Sequence, residues 1–276
     1  MTEDFIEFKK YYREAVKSVP DDSFFKESIN HKYRHSVEVL RAGELIMQET
    51  DELKNLSEDF KKYAQKALLF HDVGRFEEAV LRYNTPHLEA NSEVLNRYDH
   101  GLIGYNTMRQ NPLYNDIRIL LAIRYHGKMM DEVKKSALWA EAEQSPQADA
   151  AKKILYLVRD ADKLANLAKI KSDDHLRKDI FYKLLPDEAK YAGLSETVMR
   201  QFFAEQTILS ATVYSFADRI LQVISWIFDL NYRKTKEIFT QEKYGTYLLN
   251  LMPEYNVSAD EIKQISEFTD KKSGGK

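Results

Sequence analysis

Five polar residues interrupt helical stripes that are otherwise apolar. They are His35, His71, His100, His126 and Asp162. His35, for example, shares one helix face with Val39, Ala42 and Ile46. A single buried histidine is more often a hydrogen-bonded core residue than a ligand, but burying five such groups separately would cost roughly 2 kcal/mol or more for each. A shared cation removes this cost because it satisfies all of them, so the pattern indicates a metal site.

The dipeptide His71-Asp72 places a carboxylate directly after one of these histidines. Adjacent side chains reach a common point only where the backbone turns, and Gly74 is predicted to supply that turn as a left-handed helix stop. The chain has no cysteine, which excludes disulfides, thiolate zinc sites, iron–sulfur clusters and cysteine nucleophiles. The seven histidines are therefore the main candidates for metal chemistry.

In chain order these residues read His, His-Asp, His, His, Asp, and this order resembles the HD superfamily of metal-dependent phosphohydrolases, which are all-α proteins. The segment 68–76, LLFHDVGRF, is similar to the central motif of that family, and the segment 161–164, ADKL, is similar to its last motif. The intervening His100 and His126 match the branch of the superfamily that holds two metals. The similarity extends over about residues 31–166.

The resemblance implies two divalent transition-metal ions as cofactors, chosen from Fe, Mn, Zn, Co and Ni. It assigns the first ion to His35, His71, Asp72 and Asp162. It assigns the second ion to Asp72, as a bridging ligand, together with His100 and His126. It further implies that a metal-activated water hydrolyses a phosphate ester or anhydride without a side-chain nucleophile, so that Asp72 is a catalytic residue as well as a ligand.

Cationic residues close to the motifs are candidates for binding the phosphate. Arg75 stands where many relatives have lysine, and an arginine there retains the charge for phosphate binding but does not release a proton. Arg75 has an alternative interpretation as a surface residue beyond a helix end. Lys163, next to the last aspartate, is a second catalytic candidate, and Arg34 and Lys128 are weaker ones. His87, in a predicted loop, is interpreted as a substrate contact or as an exposed residue.

The last ligand has a second candidate, because the segment 217–220, ADRI, also resembles the final motif. Asp162 is favoured by its spacing from His126 and by its position on an apolar stripe. Asp218 has Tyr214, Gln222 and Ser225 as helical neighbours, and we expect it in a more solvated setting.

The composition is typical of a soluble globular protein: 276 residues, 43% hydrophobic and 31% charged. A net charge of −3 argues against general nucleic-acid binding, which depends on a surplus of Lys and Arg. No apolar stretch is long enough for a membrane anchor, and the acidic N-terminus lacks the features of a signal peptide. We therefore expect a cytoplasmic protein.

The scarcity of Gly and Pro, nine and six residues, favours long helices joined by short turns. Helices are predicted over about 4–17, 31–47, 59–71, 100–108, 114–126, 147–170 and 195–228, with Asp99 as an N-cap. The expected fold is all-α, an HD-domain-like helical bundle with additional C-terminal helices. We interpret 1–276 as a single domain in which 31–170 form the metal-binding core. The appended helices, 176–268, would cap the site, form a homodimer surface or do both.

The leading functional hypothesis is a metal-dependent phosphohydrolase that acts on a small, nucleotide-like phosphorylated substrate. The first alternative is an oxygenase of the same fold, in which a mixed-valent di-iron centre uses the same ligands to cleave carbon bonds with dioxygen. The second alternative is a nucleotide-binding protein with an idle site. Iron content with oxygen consumption would favour the oxygenase, and failure to retain metal would favour the idle site.

Overall fold

The computed structural model describes residues 2–85 and 98–272, and all regular secondary structure in these residues is helical. The prediction of an all-α fold is confirmed. The chain divides into two compact units, Met1–Asp162 and Lys163–Lys276, and its interpretation as a single domain stays a prediction. Among the described helices, none combines the length and apolar character needed to cross a membrane.

The first unit is built from ten helices in the described residues, the last of which continues into the second unit. They are α1 (Thr2–Lys17), α2 (Phe24–Glu49), α3 (Asp51–Lys54), α4 (Glu58–Phe70), α5 (Gly74–Asn84), α6 (His100–Arg109), α7 (Ile117–Tyr125), α8 (Met130–Val133), α9 (Ala137–Gln144) and α10 (Ala148–Asp173).

Short polar side chains fix where several of these helices begin. Ser23, Ser57, Asp99 and Asp116 each accept a hydrogen bond from a backbone N–H in the first turn of the helix that follows. Such a cap satisfies a donor that has no partner inside the helix. The prediction that Asp99 caps the helix starting at His100 is confirmed. The helix predicted from about residue 114 starts later, because Asp116 caps it at Ile117.

The core of the first unit lies between α1, α2, α4, α5, α6 and α7. α2 packs against α4 and α5, α6 packs against α5 and α7, and α7 also packs against α4. The ring of Phe8 in α1 contacts those of Phe70 and Phe76, with centroid separations of 5.4 Å for both pairs. This packing brings the polar residues of α2, of the end of α4, of the start of α6 and of the end of α7 into one part of the unit.

The second unit contains shorter helices. In the described residues they are α11 (His175–Lys178), α12 (Ile180–Leu184), α13 (Asp187–Lys190), α14 (Glu196–Phe203), α15 (Phe216–Ile224), α16 (Arg233–Gln241), α17 (Tyr244–Leu249) and α18 (Ala259–Lys272). Three 3-10 turns accompany them at Ser210–Thr212, Ser225–Asp229 and Met252–Tyr255. The rings of Phe202, Phe228 and Phe268 pack against one another in its core.

The prediction of one long helix over 195–228 is wrong. α14 ends at Phe203, and Glu205 then adopts a left-handed backbone conformation with φ of 59°. A residue in that conformation ends a right-handed helix. Helix resumes as α15 only at Phe216, where Ser215 and Asp218 form a capping box. Apolar periodicity continued across the break because both segments face the same core.

Candidate metal centre

The His71-Asp72 dipeptide lies in a helical turn between α4 and α5. α4 ends at Phe70, His71 keeps helical backbone angles, and α5 begins at Gly74. The backbone N–H of Val73 donates to the carbonyl of Phe70, and that of Arg75 donates to the carbonyl of Asp72. The side chains of His71 and Asp72 are 0% and 4% exposed. The turn therefore places both groups inside the first unit.

Gly74 is not a left-handed helix stop, so that prediction is wrong. It is the first residue of α5, and among the described glycines the positive φ belongs to Gly193. A Cβ atom at position 74 would lie 2.0 Å from the backbone oxygen of His100 and 2.6 Å from the backbone nitrogen of Gly104. Glycine is required here because α5 and α6 approach too closely for any side chain. The close approach brings His100 next to the His71-Asp72 turn.

A first group of possible metal ligands consists of His35, His71 and Asp72. His35 comes from the middle of α2 and is buried, and its Nε2 lies 2.9 Å from Oδ1 of Asp162 in α10. Nε2 of His71 lies 3.9 Å from the same oxygen of Asp162 and 3.8 Å from Oδ2 of Asp72. Asp162 thus joins this group, and its side chain is 22% exposed.

A second group consists of Asp72, His100 and His126. Nε2 of His100 lies 3.6 Å from Oδ1 of Asp72, and Nε2 of His126 lies 3.4 Å from it. The two Nε2 atoms are 3.3 Å apart. The two oxygens of Asp72 therefore face different groups: Oδ1 faces His100 and His126, and Oδ2 faces His71. The structure brings together all six residues that the sequence proposed as ligands.

Backbone carbonyls fix the orientation of two of the imidazole rings. Nδ1 of His71 donates to the carbonyl of Leu68 at 2.9 Å, and Nδ1 of His126 donates to the carbonyl of Ile123 at 3.1 Å. In a neutral ring with a proton on Nδ1, the lone pair is on Nε2. Both Nε2 atoms point towards Asp72. A metal-ligating histidine commonly donates its other ring N–H to a carbonyl in this way, and that hydrogen bond fixes the orientation of the ring.

Two buried polar atoms at the centre of the cluster lack a hydrogen-bond partner within the described residues. They are Nε2 of His71 and Oδ1 of Asp72. An unsatisfied buried polar atom costs about 1–3 kcal/mol, and more when it carries charge. A divalent cation would satisfy both atoms, and imidazole with carboxylate is a donor set suited to transition metals. The six residues therefore fit the metal that the sequence predicts.

The shifted pKa values of four groups in the cluster favour the protonation states that bind metal. Burial lowers the pKa of His71 to about 4 and that of His100 to about 2, although Asp72 acts in the opposite direction on both. Burial alone would raise the pKa of the Asp72 carboxyl, but Lys32 and His71 hold it well below its usual value. The hydrogen bond with His35 likewise outweighs burial and lowers the pKa of Asp162. Near neutral pH, His71 and His100 are therefore neutral, and Asp72 and Asp162 are ionised.

Comparison with known families identifies the domain that carries this cluster. Residues 33–167 match the family model of the HD domain, and the match includes all six residues. Residues 33–167 form an HD domain. This match confirms the resemblance to the HD superfamily that the sequence motifs indicated. Members of this family are generally metal-dependent hydrolases that bind divalent metals. Comparisons with curated proteins and with solved structures returned no match.

Two cations contact the central carboxylate of the HD domain. Nζ of Lys32, in α2, lies 3.0 Å from Oδ2 of Asp72, and Nε of Arg75, in α5, lies 3.6 Å from Oδ1. The sequence proposed Arg75 but missed Lys32. The missed signal is spacing, because Lys32 precedes His35 by three residues and so lies on the same face of α2.

Of the other proposed cations, Lys163 and Lys128 pair with carboxylates. Nζ of Lys163 lies 2.7 Å from Oδ2 of Asp229 in the second unit, and its catalytic role stays a prediction. Lys128 pairs with Asp99 at 3.1 Å, beside the second group of ligands. Arg34 lines a surface pocket that it shares with acidic residues of the segment 21–27.

Asp218, the competing candidate for the last ligand, is part of a helix cap in the second unit. Its Oδ1 accepts a hydrogen bond from the backbone of Ser195 at 2.8 Å, and its Oδ2 accepts from those of Tyr214 and Ser215. The expectation of a solvated setting is wrong, because the residue is fully buried. Its neighbours Gln222 and Ser225 are also buried, and their side chains donate hydrogen bonds to the backbone carbonyls of Ile208 and Gln222.

Arg159 is a further positioning residue that sequence reasoning missed. It is buried, and its guanidinium donates to the carbonyls of Tyr125, His126 and Lys128 at 3.1, 3.0 and 2.5 Å. These carbonyls lie at the end of α7 and directly after it, where they have no partner inside the helix. Arg159 therefore holds the segment that carries His126.

Two further histidines are not among the six candidate ligands. The ring of His31, one helical turn before His35 on α2, lies parallel to that of His35, with centroids 6.4 Å apart. His87 lies outside the described residues.

Proposed function

We propose that the HD domain of this protein is a phosphohydrolase that works with two divalent transition-metal ions. The first would be held by His35, His71, Asp72 and Asp162, and the second by Asp72, His100 and His126. The observation that carries the proposal is the position of Asp72, whose Oδ2 lies 3.8 Å from His71 and whose Oδ1 lies 3.4 Å from His126. A carboxylate shared by two groups of imidazoles is what a pair of bridged ions needs.

Ions bound there would polarise the phosphoryl oxygens and lower the pKa of a water that attacks phosphorus. The protein itself supplies orientation and charge. The carbonyls of Leu68 and Ile123 hold two imidazoles in the tautomer that presents Nε2 to the centre. Arg75, 33% exposed and linked to Glu78 at 2.8 Å, supplies a fixed positive charge for a phosphate oxygen. Its charge does not depend on pH in the physiological range.

A cavity beside the second group supports a small, nucleotide-like phosphorylated substrate. It has a volume of about 270 Å³ and is lined by Asp99, His100, Arg124, His126 and Lys128, with two glycines. Arg124 and Lys128 both pair with Asp99, so the wall carries a surplus positive charge. Cavities for small ligands begin at about this size, and a positive wall favours an anion.

Metal analysis followed by a phosphate-release assay tests the proposal. Protein purified without chelators is expected to retain divalent transition metal and, with one of Fe, Mn, Zn, Co or Ni, to release phosphate from a panel of nucleotides and phosphate esters. The variant Asp72→Asn serves as the negative control for both metal content and phosphate release. Bound iron with oxygen consumption and no phosphate release would favour the oxygenase instead, and the absence of bound metal would overturn the proposal.

A further inference from the structure

Lys32, on α2 directly before the residues matched as the HD domain, reaches the buried central carboxylate of that domain. Its side chain is 23% exposed, whereas that of Asp72 is 4% exposed, and Nζ lies 3.0 Å from Oδ2 of Asp72. This is the oxygen that faces His71. The ammonium group therefore lies against an atom that the proposed function assigns to a metal ion.

A lysine and a divalent cation compete for such an oxygen. Two positive charges repel each other strongly at short separation in a poorly solvated site. Arg75 adds to the competition from the other side, with Nε 3.6 Å from Oδ1, but Glu78 also holds its guanidinium at 2.8 Å. Of these two cations, Lys32 has the shorter contact with Asp72.

We propose that Lys32 is an anion-binding residue that changes partners. It pairs with Asp72 when no cation is bound there, and with a phosphate oxygen of the substrate when cations occupy the carboxylate. The inference rests on the proposed function and adds to it a coupling between metal and phosphate. A lysine ammonium is a compact, strongly hydrated charge that binds phosphate well, and its flexible stem allows the change of partner.

The coupling gives Lys32 opposite effects on the two ligands. Removing its charge should strengthen metal binding, because a competitor for Asp72 is lost, and should weaken phosphate binding, because a partner for the anion is lost. A lysine that merely orients Asp72 would behave differently, since its removal would weaken metal binding as well. The signs of the two changes therefore separate the proposal from a structural role.

Lys26 provides a matched control on the same helix. Its side chain is also 23% exposed and also pairs with an aspartate, Asp21, but that partner is 95% exposed and is not part of the metal cluster. Lys26→Met and Lys32→Met thus remove the same group from equally exposed positions of α2.

The experiment measures metal and orthophosphate binding by calorimetry for the wild type, Lys32→Met, Lys26→Met and Lys32→Arg. The metal is the one that purifies with the wild type, and orthophosphate is titrated into metal-loaded protein. We expect Lys32→Met to bind phosphate at least about 10-fold more weakly and metal roughly 3-fold more tightly or better. Lys26→Met should match the wild type in both titrations. Lys32→Arg should retain most of the phosphate affinity because it keeps the charge.

Unchanged phosphate affinity in Lys32→Met, or weaker binding of metal and phosphate together, would overturn the proposal. Circular dichroism checks that each variant is folded, and if Lys32→Met is unfolded the same comparison is made with Lys32→Gln. Failure of the proposed function looks different, because the wild type itself would then retain no metal or release no phosphate from any substrate.

Discussion

Two buried aspartates, one in each unit, have contrasting surroundings. Asp218 is surrounded by donors whose hydrogen atoms point at its oxygens: the backbone N–H groups of Ser195, Tyr214 and Ser215. Asp72 is surrounded by imidazoles at 3.4–3.8 Å, and one of its oxygens accepts no hydrogen bond within the described residues. Both carboxylates are out of contact with water, yet only the first has its hydrogen-bonding capacity filled by the chain.

This difference shows how a buried carboxylate reveals its role. When backbone N–H groups satisfy it, the group stabilises local structure and needs no further partner. When one of its oxygens and a neighbouring imidazole nitrogen both lack a hydrogen-bond partner, as Oδ1 of Asp72 and Nε2 of His71 do within the described residues, a cation is the partner that satisfies both. The four predictions below test this distinction, in order of decreasing effect.

Asp72→Asn should abolish metal retention. The amide keeps the shape of the side chain but loses the negative charge that both groups of imidazoles share, so metal affinity should fall more than about 100-fold. Metal content after dialysis, measured by mass spectrometry, checks this. A variant that keeps its full metal content would show that Asp72 is not a ligand.

Asp218→Ala should lower the stability of the protein and leave its metal content unchanged. Three backbone N–H groups lose their acceptor, so the free energy of unfolding should fall by about 3 kcal/mol, while the metal content of the folded protein stays at the wild-type level. Urea unfolding together with metal analysis makes the test. Metal loss with unchanged stability would instead identify Asp218 as the last ligand, in place of Asp162.

Gly74→Ala should disturb the cluster through the backbone. The added Cβ would meet the backbone oxygen of His100 at 2.0 Å, so α5 and α6 must separate, at a cost of about 2 kcal/mol of unfolding free energy and with weaker metal binding. Gly127→Ala is the control, because a Cβ there has nothing within 4 Å. Equal effects of the two substitutions would show that the close approach of α5 and α6 does not position His100.

Acidification of the metal-free protein from pH 6.5 towards pH 4 should lower its stability. Unfolded histidine takes up a proton near pH 6.5, whereas burial holds the pKa of His71 at about 4. The stability that the neutral ring contributes is therefore fully present above pH 6.5 and is lost as the pH falls towards 4, by about 1 kcal/mol per pH unit. Urea unfolding at several pH values measures this slope.

His71→Gln should show a shallower slope than the wild type over the same pH range, because one of the groups that takes up a proton on unfolding is gone. If the metal-free wild type became more stable as the pH fell from 6.5 to 4, the neutral state assigned to His71 would be contradicted.

The sequence predicts the cluster well because its members follow a local rule. A polar residue on an apolar helix stripe is visible in the sequence, and His35, His71, His100 and His126 all share that property. The N-cap at Asp99 is equally local, since a capping side chain bonds to a backbone group only a few residues away. Periodicity does not show which helix faces meet in the fold. The family resemblance adds this information, because it implies that the faces carrying these residues meet at one metal site.

The sequence predicts poorly wherever a role depends on a distant partner. Gly74 is required by the backbone of His100, and Asp218 is satisfied by Ser195, and neither partner lies within one helical turn. Lys32 has a local signal, but its partner Asp72 lies on another element. Such contacts form only when the helices pack together, so they cannot be predicted from composition or periodicity alone.

Arg159 and Asp162 lie one turn apart on α10, and each reaches a different part of the cluster. The guanidinium holds the carbonyls around His126, while the carboxylate contacts His35. Any small rotation or slide of this helix would displace both contacts at once. One helix thus positions both halves of the centre, the half with His126 through Arg159 and the half with His35 through Asp162.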